Sequence, residues 1–173
     1  MACIFFDARK KPGPEELRDT AFFAKFSVKD QVERFGRGFT RSSLDWWGKQ
    51  CDIVKAKSFR PDPVSDIPID VGIEMMRDWS KQFENHDKCW VWARGNLDQL
   101  VLDAMEETLA IPPVFFYNRW RDVRTAVDLM TGSTSGYCKV EYDDFDPAHH
   151  IMKHDPIDDC VYDAMMLMYG VNE

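Results

Sequence analysis

The final stretch of the chain, His154-Asp-Pro-Ile-Asp-Asp159-Cys-Val-Tyr-Asp-Ala-Met-Met-Leu-Met-Tyr-Gly170, does most to limit what the sequence can fold into. Pro156 suits the first turn of a helix, where its missing N–H costs nothing. From there Ile157, Cys160, Val161, Ala164, Met165, Leu167 and Met168 recur at helical spacing and give one apolar face. Such a helix must pack on another layer, and its polar start overhangs the end of that layer. His154 lies just ahead of the helix and Asp159 in its first turns, so an imidazole and a carboxylate share one helix end. Part of this acidity is ordinary helix chemistry, because acids are favoured at the positive end of the helix dipole.

The rest of the pattern supplies the partner layer. Residues 2–7 are a short apolar run that reads as a strand, and Pro12, Gly13 and Pro14 mark a turn within 10–16. Residues 20–32 alternate in part and read as the return leg of a hairpin. Phe39 to Gln50 predicts a helix with Ser42 or Ser43 as N-cap, and 58–68, with three prolines, a loop. Residues 70–85 keep helical spacing. Cys89 to Ala93 reads as a short buried strand, followed by a turn at Arg94-Gly95-Asn96 and a helix over 97–109. Pro112 and Pro113 interrupt the chain. Residues 114–117 then predict a strand, 121–130 a helix, 137–150 an irregular acidic segment and 156–169 the final helix. The order is that of a mixed α/β chain, with strands and helices alternating in the second half. Ligand sites in such sheets lie at the carboxyl ends of strands, where Arg94 to Asp98 falls.

Composition narrows the classes. A chain of 173 residues with 45% apolar content suggests one domain, 1–173, with a real core. No apolar run is long enough to span a membrane, and no signal peptide is visible at the start. The five cysteines (3, 51, 89, 138 and 160) are odd in number and scattered, which argues for reduced thiols in a cytoplasm and against a disulfide frame or a zinc site. A net charge of −8 argues against coating nucleic acid by bulk electrostatics. It leaves room for an enzyme that holds divalent metals with carboxylates, because the ion brings the positive charge.

Asp98, after the 89–93 strand, and His154 and Asp159, at the start of the last helix, are two carboxylates and one imidazole that can converge on one point. Hard oxygen donors select Mg²⁺ or Mn²⁺. A neutral imidazole near water can act as general base. Four stretches, in order, resemble the exonuclease A family of T-even-type bacteriophages and its bacterial relatives: Phe39 to Gln50 with its Trp pair, Trp92-Ala-Arg-Gly-Asn-Leu-Asp98, Asn118 to Thr125 with Asp-x-Arg-Thr, and His154 to Cys160. That family belongs to the DnaQ-like DEDDh 3′–5′ exonucleases. The resemblance implies an RNase H-like mixed sheet flanked by helices. It implies hydrolysis of phosphodiester bonds at nucleic-acid 3′ ends with two Mg²⁺ or Mn²⁺ ions. It makes His154 the general base, Asp159 a direct metal ligand and Asp98 a metal-supporting acid. Nucleic acid is then the partner, DNA ahead of RNA, and the cytoplasm the location, that of the host if the gene is a phage's. Oligomeric state is left open.

The sequence departs from the family in two ways. The second motif is one residue shorter between Gly95 and Asp98. The first motif, an Asp-x-Glu on an opening strand, is missing: residues 2–7 correspond to the family's second strand and Asp7 stands alone. Asp70 and Glu74 lie four apart in a helical segment and do not replace it. Three explanations stand open: the strand is encoded upstream by ten to twenty residues, roughly one strand and a turn, it is encoded on another chain, or catalysis is lost and binding kept. Without an interior strand, its neighbours present unpaired backbone groups, and lowered stability or aggregation is expected. The alternative readings are a catalytically dead nucleic-acid- or partner-binding module and a His-Asp metal phosphohydrolase using His154-Asp155, which would need further His-Asp sets. Trp46 and Trp47 read first as core, the cluster Arg94, Arg119, Arg121 and Arg124 as phosphate steering or plain surface, and His149-His150 as loop residues.

Overall fold

The computed structural model describes residues 1–143 and 145–172. Strand β1 (Ala2–Cys3) pairs antiparallel with β2 (Phe22–Phe23), and helix α1 (Pro14–Asp19) lies between them. The expected strand over 2–7 ends at Cys3 because the next backbone groups go to a side chain. Phe5 N–H donates to the Thr20 hydroxyl at 3.0 Å, and that hydroxyl lies 2.8 Å from the Phe5 carbonyl. The expected strand over 20–32 ends at Phe23, and Val28–Glu33 forms helix α2, with the Ser27 hydroxyl accepting from Asp30 N–H. A serine three positions before an aspartate is a capping signal that outweighs partial alternation.

Helix α3 (Arg41–Gly48) is capped by Thr40 and not by Ser42 or Ser43; the Thr40 hydroxyl accepts from Ser43 N–H at 3.1 Å. Helix α4 (Asp52–Ser58) precedes the proline-rich loop, and α5 (Ile69–Ser80) buries Ile69, Ile73 and Met76. Gly72 is where α5 meets Phe26: a methyl group there would run into the phenyl ring. Strand β3 (Val91–Ala93) pairs in parallel with β4 (Trp120–Asp122), and α6 (Leu97–Leu109) is the crossover. The strand expected over 114–117 is displaced to 120–122. Val114 N–H is taken by the buried Glu106 carboxylate at 2.6 Å, so it cannot join a ladder. Then follow α7 (Val123–Thr131), β5 (Lys139–Val140), the single turn α8 (Pro147–His150), α9 (Pro156–Tyr169) and β6 (Gly170–Val171), which pairs antiparallel with β5. The expected irregular segment 137–150 thus contains β5 and α8; Asp144 lies outside the described residues.

The chain is mixed α/β, as its order predicts, but the described strands form three two-stranded ladders and not one continuous sheet. Two apolar clusters hold it together. One gathers Leu17, Val123, Val127, Val161, Met165 and Met166 around α9. The other gathers Phe22, Phe26, Ile69, Ile73, Leu102 and Met105 between β2, α5 and α6. Among the described residues no helix is long and apolar enough to cross a membrane.

Candidate active site

The start of α9 is fixed by Asp155. Its buried carboxylate accepts from Ile157 N–H at 3.0 Å and Asp158 N–H at 3.3 Å, and pairs with Lys57 of α4 at 2.6 Å. Asp158 in turn accepts from Met152 N–H at 2.8 Å and pairs with Arg18 of α1 at 2.9 Å. These contacts hold the residue before the cap, His154, in the left-handed region at φ +69, a costly conformation for a non-glycine residue. Its N–H donates to Asp159 Oδ1 at 3.1 Å. The indole of Trp46 lies edge-on to the imidazole, with ring centroids 4.8 Å apart.

A second wall comes from β3 and the residue after it, Arg94, with Trp120 from the start of β4. Gly95, at φ +80, turns the chain from β3 toward α6, and its N–H donates to Asp122 Oδ1 at 2.8 Å. Asp122 also caps α7, accepting from Arg124 N–H, Thr125 N–H and the Thr125 hydroxyl. One carboxylate therefore ties together the two turns that follow the parallel strands. Asp98 stands in the first turn of α6, just beyond.

Asp98, His154 and Asp159 line one cavity of about 1590 Å³. Asp163 joins them. It is four residues after Asp159, hence on the same face of α9, and accepts from Arg94 Nε at 3.0 Å. Arg94 also stacks over the Tyr137 ring at 4.3 Å. Asp98 and Asp159 are accessible from the cavity, yet protein surrounds them closely enough that desolvation raises both pKa values; the Met1 ammonium offsets this at Asp98 and the His154 N–H at Asp159. Asp163 is raised by burial too, against the pull of Arg94, and Asp98 adds to the rise. The chemistry of these donors suits a hard divalent cation. Their number at one point does not: among the described residues, no group of three His, Cys, Asp or Glu side chains is placed to hold one ion.

The sequence-derived trio thus shares a cavity, while other expectations change. Neither Trp46 nor Trp47 is core: α3 buries no residue, Trp46 borders His154, and Trp47 stacks on Phe59 with centroids 5.1 Å apart. Of the basic cluster, Arg94 binds an acid of the site, whereas Arg119 and Arg121 lie over Trp90. Asp155 is consumed by its cap and by Lys57, which leaves no free carboxylate for a His154-Asp155 metal pair. Asp70 and Glu74 form surface ion pairs with Arg34 and Arg77. His149 and His150 sit in the turn of α8, and His150 Nδ1 bonds the Asp146 backbone. Asp163 is the residue that sequence reading missed. Its spacing from Asp159 was the available signal.

Comparison with known proteins gives the chain a family. Residues 2–171 match the family described as Rv2179c-like, a 3′–5′ exoribonuclease domain. The chain is 28% identical over 195 residues to the exodeoxyribonuclease of Enterobacteria phage T4, an alignment that covers 99% of this chain and 80% of that protein. No solved structure matches it.

Proposed function

We propose that this chain, which belongs to the Rv2179c-like 3′–5′ exoribonuclease domain family, is a metal-dependent exonuclease of RNase H-like architecture that hydrolyses phosphodiester bonds at nucleic-acid 3′ ends. The observation that carries the reading is the meeting of Asp98, His154 and Asp159 in one cavity, beside strand ends and helix starts. Asp98 and Asp159 would hold Mg²⁺ or Mn²⁺, with Asp163 behind them. The ion, when bound, supplies the positive charge that a phosphodiester undergoing attack requires. His154 takes a proton from the attacking water at an imidazole nitrogen, and the strained backbone beside Asp155 keeps the ring at the cavity wall. Trp46 limits the ring's rotation from one side. Arg94, neutralised in part by Asp163, lines the same cavity and would offer its guanidinium to a phosphate there. DNA is the first substrate to test, with RNA beside it.

The test is digestion of 5′-labelled single-stranded DNA and RNA with Mn²⁺, with and without EDTA. Stepwise shortening from the 3′ end is expected, and His154→Ala should lose at least ~10²-fold in rate with an unchanged melt. An unaffected rate would remove His154 from the mechanism. One observation favours a second reading, a binding module without catalysis: the described residues bring too few ligands to one point. That reading predicts retention of single strands with no Mn²⁺-dependent shortening.

A further inference from the structure

The two faces of the β3–β4 ladder differ. Side chains alternate across a strand, so Val91 and Ala93 share one face and Trp90 and Trp92 the other. Trp92 is in register with Arg121 of β4, which puts Arg121 on the tryptophan face. The first face is packed: Ala93 is buried, and Trp120 of β4 lies against the α5–α6 cluster. The second is open. Trp90 keeps 51% of its surface exposed and Trp92 37%, and both border the cavity that holds Asp98, His154 and Asp159.

Charge follows the aromatic surface. Of the eleven arginines, seven pair with a carboxylate. Arg37, Arg119, Arg121 and Arg124 have no such partner among the described residues, and the last three fall together where β4 runs into α7. The Arg121 guanidinium lies 3.8 Å from the centre of the Trp90 ring, and that of Arg119 lies 5.5 Å from it. Arg121 Nη1 donates to the Asn118 and Trp120 carbonyls at 3.0 and 2.6 Å. These bonds fix the group and leave Nε and Nη2 without an acceptor among the described residues. The same pairing recurs past the end of β3, where Arg94 lies 4.3 Å from the Tyr137 ring, also at the cavity. Among the described residues these are the two closest arginine–aromatic stacks.

Guanidiniums held on exposed rings, without acidic partners in a chain of net charge −8, suit a polyanion that also presents flat faces. A single nucleic-acid strand is such a ligand, because its phosphates alternate with bases whose π-faces are free to stack. From Trp90 to Arg94 the chain runs roughly 13 Å, the length of about four stacked nucleotides.

We infer that the open face of the β3–β4 ladder is a stacking platform for single-stranded nucleic acid. The strand leading to the bond at the acids crosses this face, with a base against Trp90 and a phosphate on Arg121. This assignment, which rests on the nuclease reading of the cavity, makes the substrate single-stranded: a paired base has its faces covered and cannot reach the ring. Stacking tolerates either sugar, so DNA and RNA both fit.

The test reads binding apart from cleavage. Fluorescence anisotropy in EDTA at low salt compares a labelled single-stranded dodecamer, as DNA and as RNA, with a blunt duplex of the same sequence. Trp90→Ala should weaken binding of both single strands about tenfold and leave duplex binding and the melt unchanged. Trp90→Phe keeps a ring and should restore most of the affinity. Arg121→Ala should also weaken single-strand binding and flatten the dependence of log Kd on log salt by about 0.7. Native affinity in Trp90→Ala, or equal losses on single strand and duplex, overturns the inference, even where Mn²⁺-dependent shortening is intact and the nuclease reading stands. A Trp90-dependent grip on single strands with no shortening under Mn²⁺ has the opposite meaning: the platform stands and the nuclease reading falls. A dimer of the native chain that Trp90→Ala separates, with strand binding unchanged, overturns the inference too, by assigning the face to a second copy.

Discussion

The two sides of α9 are built on opposite terms. On one side Val161, Met165 and Met166 are fully enclosed by Leu17 of α1 and by Val123 and Val127 of α7. On the other, Asp159, Cys160, Asp163 and Leu167 border an open cavity and are at most half-buried. The same fourteen-residue helix thus serves as a core element along one stripe and as the wall of a site along the next. Close-packed apolar contacts stabilise the first side. The second side leaves apolar surface wet and carboxylates only partly desolvated, which lowers stability and persists where it serves a ligand.

The largest expected effect tests this asymmetry directly. Met165→Ala removes a side chain with no exposed surface and should cost about 3 kcal/mol, the usual range for a buried methionine being about 2–5. Leu167→Ala, on the cavity side, should cost less, about 1 kcal/mol, because that side chain is only partly buried against the core and already borders open space. Urea unfolding of the two variants reads the difference. Equal costs would mean that the cavity side is as well filled as the core and would break the comparison.

A middle-sized effect concerns the hinge between core and cavity. Asp122→Ala deletes the cap of α7 and the acceptor for Gly95 N–H together, and should cost about 1–2 kcal/mol. Gly95 should exchange its amide faster in that variant while α9 amides keep their protection. If α9 loosens equally, Asp122 supports the whole domain and not the turn at the end of β3.

Much of the closed side was legible in the sequence, and less of the open side. α5, α6 and α9 follow from the period of their apolar residues, because each buries a stripe in a core. α2 and α4 were not visible: the first is six residues and the second seven, too short for a period; α2 stands on the Ser27 cap, and α4 starts at Cys51 with no side-chain cap. The strand expected at 114–117 fell to Glu106, whose side chain claims the Val114 N–H from eight residues away. Local pattern does not encode such a contact. Asp98, His154 and Asp159 could be picked out because strand ends and helix starts are where ligands meet an α/β fold. The Trp46–His154 contact joins residues far apart in sequence, on a helix that buries nothing, and no periodicity announces it. The split of the strands into separate ladders was anticipated only as exposed edges, since strand order is not written in any one segment.

The smallest effect separates the two kinds of carboxylate by sign. Burial raises the Asp98 pKa above 3.8, so any stability linked to it is complete below pH 3.8 and is lost as pH rises through the folded value. At Asp122 burial also pulls upward, but bonds from Thr125, Gly95 and Arg124 outweigh it and the pKa is lowered. Its contribution is present above pH 3.8 and is lost as pH falls through the folded value. Asp98→Asn should therefore raise Tm slightly at neutral pH and change nothing in acid, the gain being small because water in the cavity screens an accessible carboxylate. Asp122→Asn should lower Tm at neutral pH, with the loss shrinking as the pH falls below 3.8. Melts of both variants across pH 3–8 should give difference curves of opposite sign that converge toward acid. A neutral-pH loss in Asp98→Asn as large as that in Asp122→Asn would show that Asp98 is held by a partner, and that the cavity side is less hollow than its walls suggest.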